Sequence, residues 1–119
     1  MHFVSEKYTK ELEKGKIRIY ILIDPLTNQI KYVGATKRKM GQRLNGHIYT
    51  ALKSSGPNIN KNNWINSLKL KGCIPIMDEI DIVNKDEIIF WETFYINLFR
   101  FYGFDLFNIN LIGGGGLTS

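Results

Sequence analysis

The chain is poor in cysteine and proline, with one Cys and three Pro in 119 residues. A single thiol can form neither an intrachain disulfide nor a Cys-based zinc centre. Cys73 is expected to be a lone buried thiol, which suits a reducing compartment: cytoplasmic, or nuclear in a eukaryotic or viral setting. No apolar run approaches the roughly 20 residues that a membrane-spanning helix needs. Residues 1–16 mix charged and polar groups and lack the apolar stretch of a secretory signal. The chain is read as neither secreted nor membrane-bound. There is no internal repeat and no long linker. Acidic residues are the minority: 16 Lys and Arg against 11 Asp and Glu leave a net charge of +5. That balance favours a polyanionic partner, nucleic acid above all.

What is present is enough apolar material for a core. The chain is 44% hydrophobic and 13% aromatic, which excludes a disordered tail and fits one domain. Residues 1–16 read as an N-terminal extension, with a short helix over 5–14, and residues 17–119 as the domain. Ile17, Ile19, Ile21 and Ile23 alternate with Arg18, Tyr20 and Leu22, which is strand periodicity. The segment Asp24-Pro25-Leu26-Thr27-Asn28 is made of turn formers, and Gln29 to Val33 continues as a second strand, so a β-hairpin is expected. Ile30, Tyr32 and Gly34 share one face of it, which lets Tyr20 and Tyr32 lie on the same side of one small sheet.

A helix follows over roughly residues 39–54, with Met40, Leu44, Ile48, Ala51 and Leu52 as its apolar stripe. A second helix opens at Asn58 to Asn63, carries Trp64, Ile65 and Leu68 inward, and stops at Gly72. Residues 74–83 read as a third strand. Asn84 with Glu87 has the form of a capping box, from which a long helix runs to about Tyr102. The order β-β-α-α-β-α describes an α+β fold, a small sheet covered by helices.

Few residues in this pattern can carry chemistry. Glu92 falls in the middle of the last helix's apolar face, among Ile88, Tyr95, Ile96 and Phe99. A carboxylate buried there needs a cation, a metal or several hydrogen bonds. A structural ion pair and a metal site are equally open readings. Arg43 and His47 stand four apart, one above the other on a helix face that borders the core stripe. Arg offers a planar fork for phosphate oxygens, and His moves protons near neutral pH. Without Tyr20 and Tyr32, both would read as ordinary surface residues of an amphipathic helix. Tyr20 and Tyr32, flanking Gly34, bring two phenols toward the same spot, and Gly34 permits close backbone approach. Asn108 and Asn110 precede the glycine run Gly113 to Gly116, which has neither P-loop nor Rossmann spacing. Lys37, Arg38 and Lys39 form the densest basic cluster, with Lys61, Lys69 and Lys71 a looser one. Each reads as a solvated face or a set of phosphate contacts.

Together these residues resemble the GIY-YIG endonuclease family over about residues 17–116. Tyr32-Val33-Gly34, Thr36, Arg43 and His47 match the YIG half. Arg18-Ile19-Tyr20 stands where GIY would, without its leading glycine. The resemblance implies a three-stranded antiparallel sheet flanked by helices and metal-dependent hydrolysis of DNA phosphodiesters. It makes Glu92 the ligand of Mg²⁺ or Mn²⁺ and Arg43 the stabiliser of the phosphorane. Tyr20 becomes the base for the attacking water, assisted by Tyr32 or His47, and Asn108 holds the site's geometry. One such site cuts one strand, so a double-strand break would need a homodimer, two successive cuts or an added DNA-binding region. A catalytically inactive nucleic-acid-binding module of the same fold is the alternative, and a purely structural or protein-interaction domain comes last.

Overall fold

The computed structural model describes residues 11–109. Strands β1 (Lys16–Ile23), β2 (Ile30–Thr36) and β3 (Ile76–Asn84) form one antiparallel sheet in the order β2-β1-β3. Helices α1 (Met40–Leu52) and α2 (Ile59–Leu70) lie between β2 and β3, and α3 (Ile88–Phe101) follows β3 through the 3-10 turn Lys85–Glu87. The expected α+β order holds.

The period-2 alternation of β1 sorts its side chains between two cores. Ile17, Ile19 and Ile21 join Val33, Val83, Ile96 and Leu106 on the α3 side. Tyr20 and Leu22 join Tyr32, Met40, Ala51, Trp64, Ile65 and Leu68 on the side of α1 and α2. Both faces of the central strand are therefore covered. The hairpin closes with Asp24 N–H donating to Gln29 O at 2.9 Å and Asn28, in the left-handed region at φ 58°, donating to Asp24 O at 2.8 Å.

The structure corrects several local expectations. Strand β2 starts at Ile30 and runs past Val33 to Thr36, because β1 supplies hydrogen-bonding partners along that whole length. Residues 11–14 of the expected N-terminal helix are irregular chain and turn, and the rest of that segment lies outside the described residues. Leu52 does not belong to the α1 core stripe. It is 57% exposed, the last residue of the helix, turned away from the fully buried Ala51 beside it. The capping box does not form. Asn84 Nδ2 donates to the Glu87 carboxylate at 3.1 Å and Asn84 Oδ1 accepts from Lys16 Nζ at 2.7 Å, so neither side chain caps a backbone N–H. Asn58 is the cap that does form, accepting from Lys61 N–H at 3.1 Å.

Candidate active site

Gly34 lies opposite Tyr20 in the β1–β2 register. A Cβ on Gly34 would collide with the ring and hydroxyl of Tyr20. The missing side chain therefore lets the Tyr20 phenol lie across β2 and point toward α1. There its oxygen meets His47 Nε2 at 2.5 Å and is also hydrogen bonded by Arg43. The spacing of four on α1 brings both groups to this one oxygen. Tyr32, two residues before Gly34 on β2, presents its ring to the same place. Its centroid is 6.5 Å from that of Tyr20 and 5.3 Å from the imidazole, which meets it edge-on. Lys61 closes the cluster from α2, with Nζ 3.1 Å from His47 Nδ1 and 4.8 Å above the Tyr32 ring. Glu92 on α3 is buried, as its place on the helix face required. Its negative charge is close enough to raise both phenols.

The electrostatics follow from burial. Tyr20 is fully buried, and loss of hydration pushes its pKa well above the ordinary phenol range. Tyr32 and Glu92 add to this, while the charge and hydrogen bond of Arg43 oppose it. Tyr32 is pushed up to about 12 by burial, with Arg43 lowering and Glu92 raising it. His47, 1% exposed, is held down to about 2, first by burial and then by the positive charges of Lys61 and Arg43. Lys61 is lowered to about 8 by burial and by Arg43. At neutral pH the cluster therefore holds two phenols, a neutral imidazole, two cations and a carboxylate. It can pass a phenol proton toward an imidazole nitrogen and offer a guanidinium to an anion.

Tyr20, Tyr32, Arg43 and His47 are thus brought together from three elements, with the charge of Glu92 on α3 within electrostatic reach of both phenols. Asn108 is not among them. Its side-chain amide is used up on the backbone of Val33, accepting from Val33 N at 2.8 Å and donating to Val33 O at 2.7 Å. It acts as a one-residue strand against β2, between Tyr32 and Gly34. Asn110 lies outside the described residues. Among the lysines and arginines, Lys37, Arg38, Lys39, Lys69 and Lys71 are exposed.

Lys61 corrects the expectation of a surface cluster with Lys69 and Lys71. It is buried at 6% exposure with its ammonium on His47. Its sequence position carried the signal, four before Ile65 and seven before Leu68, on the inward stripe of α2. A second buried cation was also missed. Arg18, where a glycine was expected, pairs with Glu79 at 3.0 Å and donates to Arg38 O at 3.2 Å. It ties β3 and the basic loop to the start of β1.

Among the described residues no helix is long and apolar enough to cross a membrane. Neither the curated proteins nor the solved structures include a significant match to the chain. The model of the GIY-YIG catalytic domain matches residues 16–105, which spans β1 to the segment after α3 and includes every residue of the cluster. With three antiparallel strands, flanking helices and this match over most of its length, the chain belongs to the GIY-YIG family of nuclease domains, whose substrate is nucleic acid.

Proposed function

We propose that this nuclease domain is a divalent-metal-dependent endonuclease that hydrolyses DNA phosphodiester bonds at the cluster of Tyr20, Tyr32, Arg43, His47 and Glu92. The observation that carries the reading is the Tyr20 oxygen, held by Arg43 and His47 with the Glu92 charge nearby. Hydrolysis of a phosphodiester requires a base for water, a cation for the charge that builds on phosphorus, and stabilisation of the leaving oxygen.

The donor set suits a hard cation. Glu92 supplies a carboxylate, and no group of three His, Cys, Asp or Glu among the described residues could hold a metal by protein ligands alone. Mg²⁺ and Mn²⁺ fit such a site, since Mg²⁺ is usually held by one or two carboxylates, with water and phosphate oxygens filling the rest of the shell. The ion, when bound at Glu92, supplies neutralising charge to the phosphate and the leaving 3′ oxygen.

The chain's own residues do the rest. Tyr20 takes the proton of the attacking water once its own has passed toward His47 Nε2, and the charge of Arg43 offsets part of the burial that otherwise keeps it a phenol. The guanidinium fork of Arg43 also faces the phosphate, where it stabilises the charge gained in the transition state. His47 exchanges a proton with Tyr20 through Nε2. Tyr32 packs against the imidazole and fixes its plane, and Asn108 holds β2 in place beside Tyr32. Lys37, Arg38, Lys39 and Lys69 contact backbone phosphates.

The test is nicking of supercoiled plasmid with Mg²⁺ or Mn²⁺, against an EDTA control and a matched RNA duplex. Nicked circles only in the metal-containing DNA reactions are expected. Tight DNA binding without cleavage in either metal would replace this reading by that of an inactive nucleic-acid-binding domain.

A further inference from the structure

The reaction proposed above uses one ring nitrogen of His47. The other, Nδ1, lies 3.1 Å from Lys61 Nζ. Lys61 is built into the interior: it is 6% exposed, its backbone N–H is held by the Asn58 side chain, and its ammonium lies over Tyr32. Tyr20, His47 and Lys61 form a continuous line, with Oη and Nε2 2.5 Å apart at one end and Nδ1 and Nζ 3.1 Å apart at the other.

A neutral imidazole carries one N–H, so its two nitrogens take opposite roles. An ammonium can only donate and makes Nδ1 an acceptor, which puts the hydrogen on Nε2. A neutral amine has a lone pair and allows Nδ1 to donate. We infer that Lys61 is a positioning residue: through its own protonation it selects which nitrogen of His47 carries the hydrogen, and so whether His47 donates to the Tyr20 phenol or accepts from it. The purpose of this device rests on the nuclease reading, while its chemistry does not.

The proton transfer balances. With Lys61 neutral, the Tyr20 O–H donates to Nε2 and the Nδ1–H donates to Nζ. The O–H and Nδ1–H bonds break while Nε2–H and Nζ–H form. One proton has moved from phenol to amine, leaving a phenolate and an ammonium with His47 neutral throughout. The surroundings favour this route over one that stops at His47. An imidazolium is strongly disfavoured there, whereas Lys61 exchanges its proton at about 8. The charged and titratable groups facing this line are Tyr20 from β1, Tyr32 from β2, Arg43 from α1 and Glu92 from α3.

Long-range ¹⁵N–¹H correlation of the imidazoles reads the two tautomers directly, independently of cleavage. The chain has two histidines, His2 and His47, so a His2→Gln background leaves one. On titration from pH 6 to 10, His47 should stay neutral and pass from Nε2–H to Nδ1–H with a midpoint near 8. Lys61→Arg keeps a cation that does not release its proton. It should hold Nε2–H at every pH, remove the rise in kcat toward pH 8 and lower kcat about 10²-fold with little change in KM. A His47 that keeps one tautomer across the titration of the unsubstituted Lys61 protein overturns the inference, as does a Lys61→Arg variant with the parent pH profile. If the ring responds at pH 8 but no DNA is cut, the nuclease reading fails and the Lys61 assignment stands. If DNA is cut and the ring does not respond, the reverse holds.

Discussion

On one face of the sheet, Ile17, Ile19, Ile21 and Val33 meet Ile96 and Leu106. On the other, Tyr20 and Tyr32 meet Met40, Ala51, Trp64 and Ile65, with His47 and Lys61 packed among them. Both are buried to the same depth. Ile19 and Tyr20 are adjacent in sequence and equally inaccessible, yet one packs into the aliphatic cluster and the other meets an imidazole and a guanidinium. The aliphatic face obtains its stability from area and fit, contributing about 25 cal/mol per Å² of buried apolar surface. The polar face obtains its function from the same dryness, because charges act more strongly where water is excluded. A one-residue slip of β1 would exchange the two sets. The apolar face therefore also fixes the register on which the site depends.

The sharpest break of this comparison is Glu92→Gln. The change keeps the size of a buried side chain and removes its charge. Metal-dependent nicking should be lost while the thermal transition remains cooperative. Cleavage at the parent rate would remove Glu92 from metal binding, and an unfolded variant would make it a structural ion-pair partner instead. Arg43→Ala comes next. Only an interaction stronger in the transition state than in the ground state lowers the barrier. Single-turnover cleavage should fall about 10²–10³-fold with little change in DNA affinity. Equal losses in rate and affinity would make Arg43 an ordinary phosphate contact.

A third pair of substitutions separates the two faces by stability. Ile19→Ala should cost about 2–5 kcal/mol by denaturant titration, yet leave kcat of the folded fraction near that of the parent. His47→Gln should instead change how stability depends on pH. In the fold His47 is held down to about 2, below its ordinary 6.5. Between these values the unfolded chain binds a proton that the folded one does not. Stability is then full above pH 6.5 and falls as pH drops below it, by up to about 1.4 kcal/mol per unit. His47→Gln should flatten that part of the curve, and Ile19→Ala should leave its slope alone.

The residues that sequence reading placed well are those whose neighbours constrain them. The alternation of Ile17 through Ile23 has one strand solution, and Glu92 stood out because a carboxylate among Ile88, Tyr95, Ile96 and Phe99 contradicts its surroundings. Arg43 and His47 shared a face through helical spacing alone. Lys61 and Arg18 were missed for the opposite reason. A long cationic side chain is ordinarily solvated, so its place on an inward stripe went unweighed against Ile65 and Leu68. Their partners, His47 and Glu79, are distant in sequence, and only the tertiary fold brings them into contact. Asn108, which follows the Leu106-Phe107 pair, enters the site through the resemblance alone, as the residue that holds its geometry. Its two bonds to Val33 depend on the path of the chain after α3, which no local pattern encodes.

The smallest expected effect lies outside both cores. Lys37, Arg38 and Lys39 are exposed on the loop between β2 and α1, beside Lys85, whose proximity lowers the pKa of Lys37. Arg18 holds this loop by its bond to Arg38 O, so the loop's backbone is fixed while its side chains remain in solvent. If these three side chains contact phosphates, each neutralised charge adds roughly 0.9 to the slope of log K against log salt on duplex DNA. Replacing all three by Ala should make that slope shallower by up to about 2.7 on the same rule. Binding should weaken alike on all sequences, because phosphate contacts position the protein without reading bases. Cleavage at saturating DNA should keep its rate, since none of the three reaches the Tyr20 cluster. Fluorescence anisotropy from 50 to 200 mM salt checks the slope. An unchanged slope would make the loop a solvated surface and leave the basic charge that contacts DNA to be sought around Lys69 and Lys71, at the far end of α2.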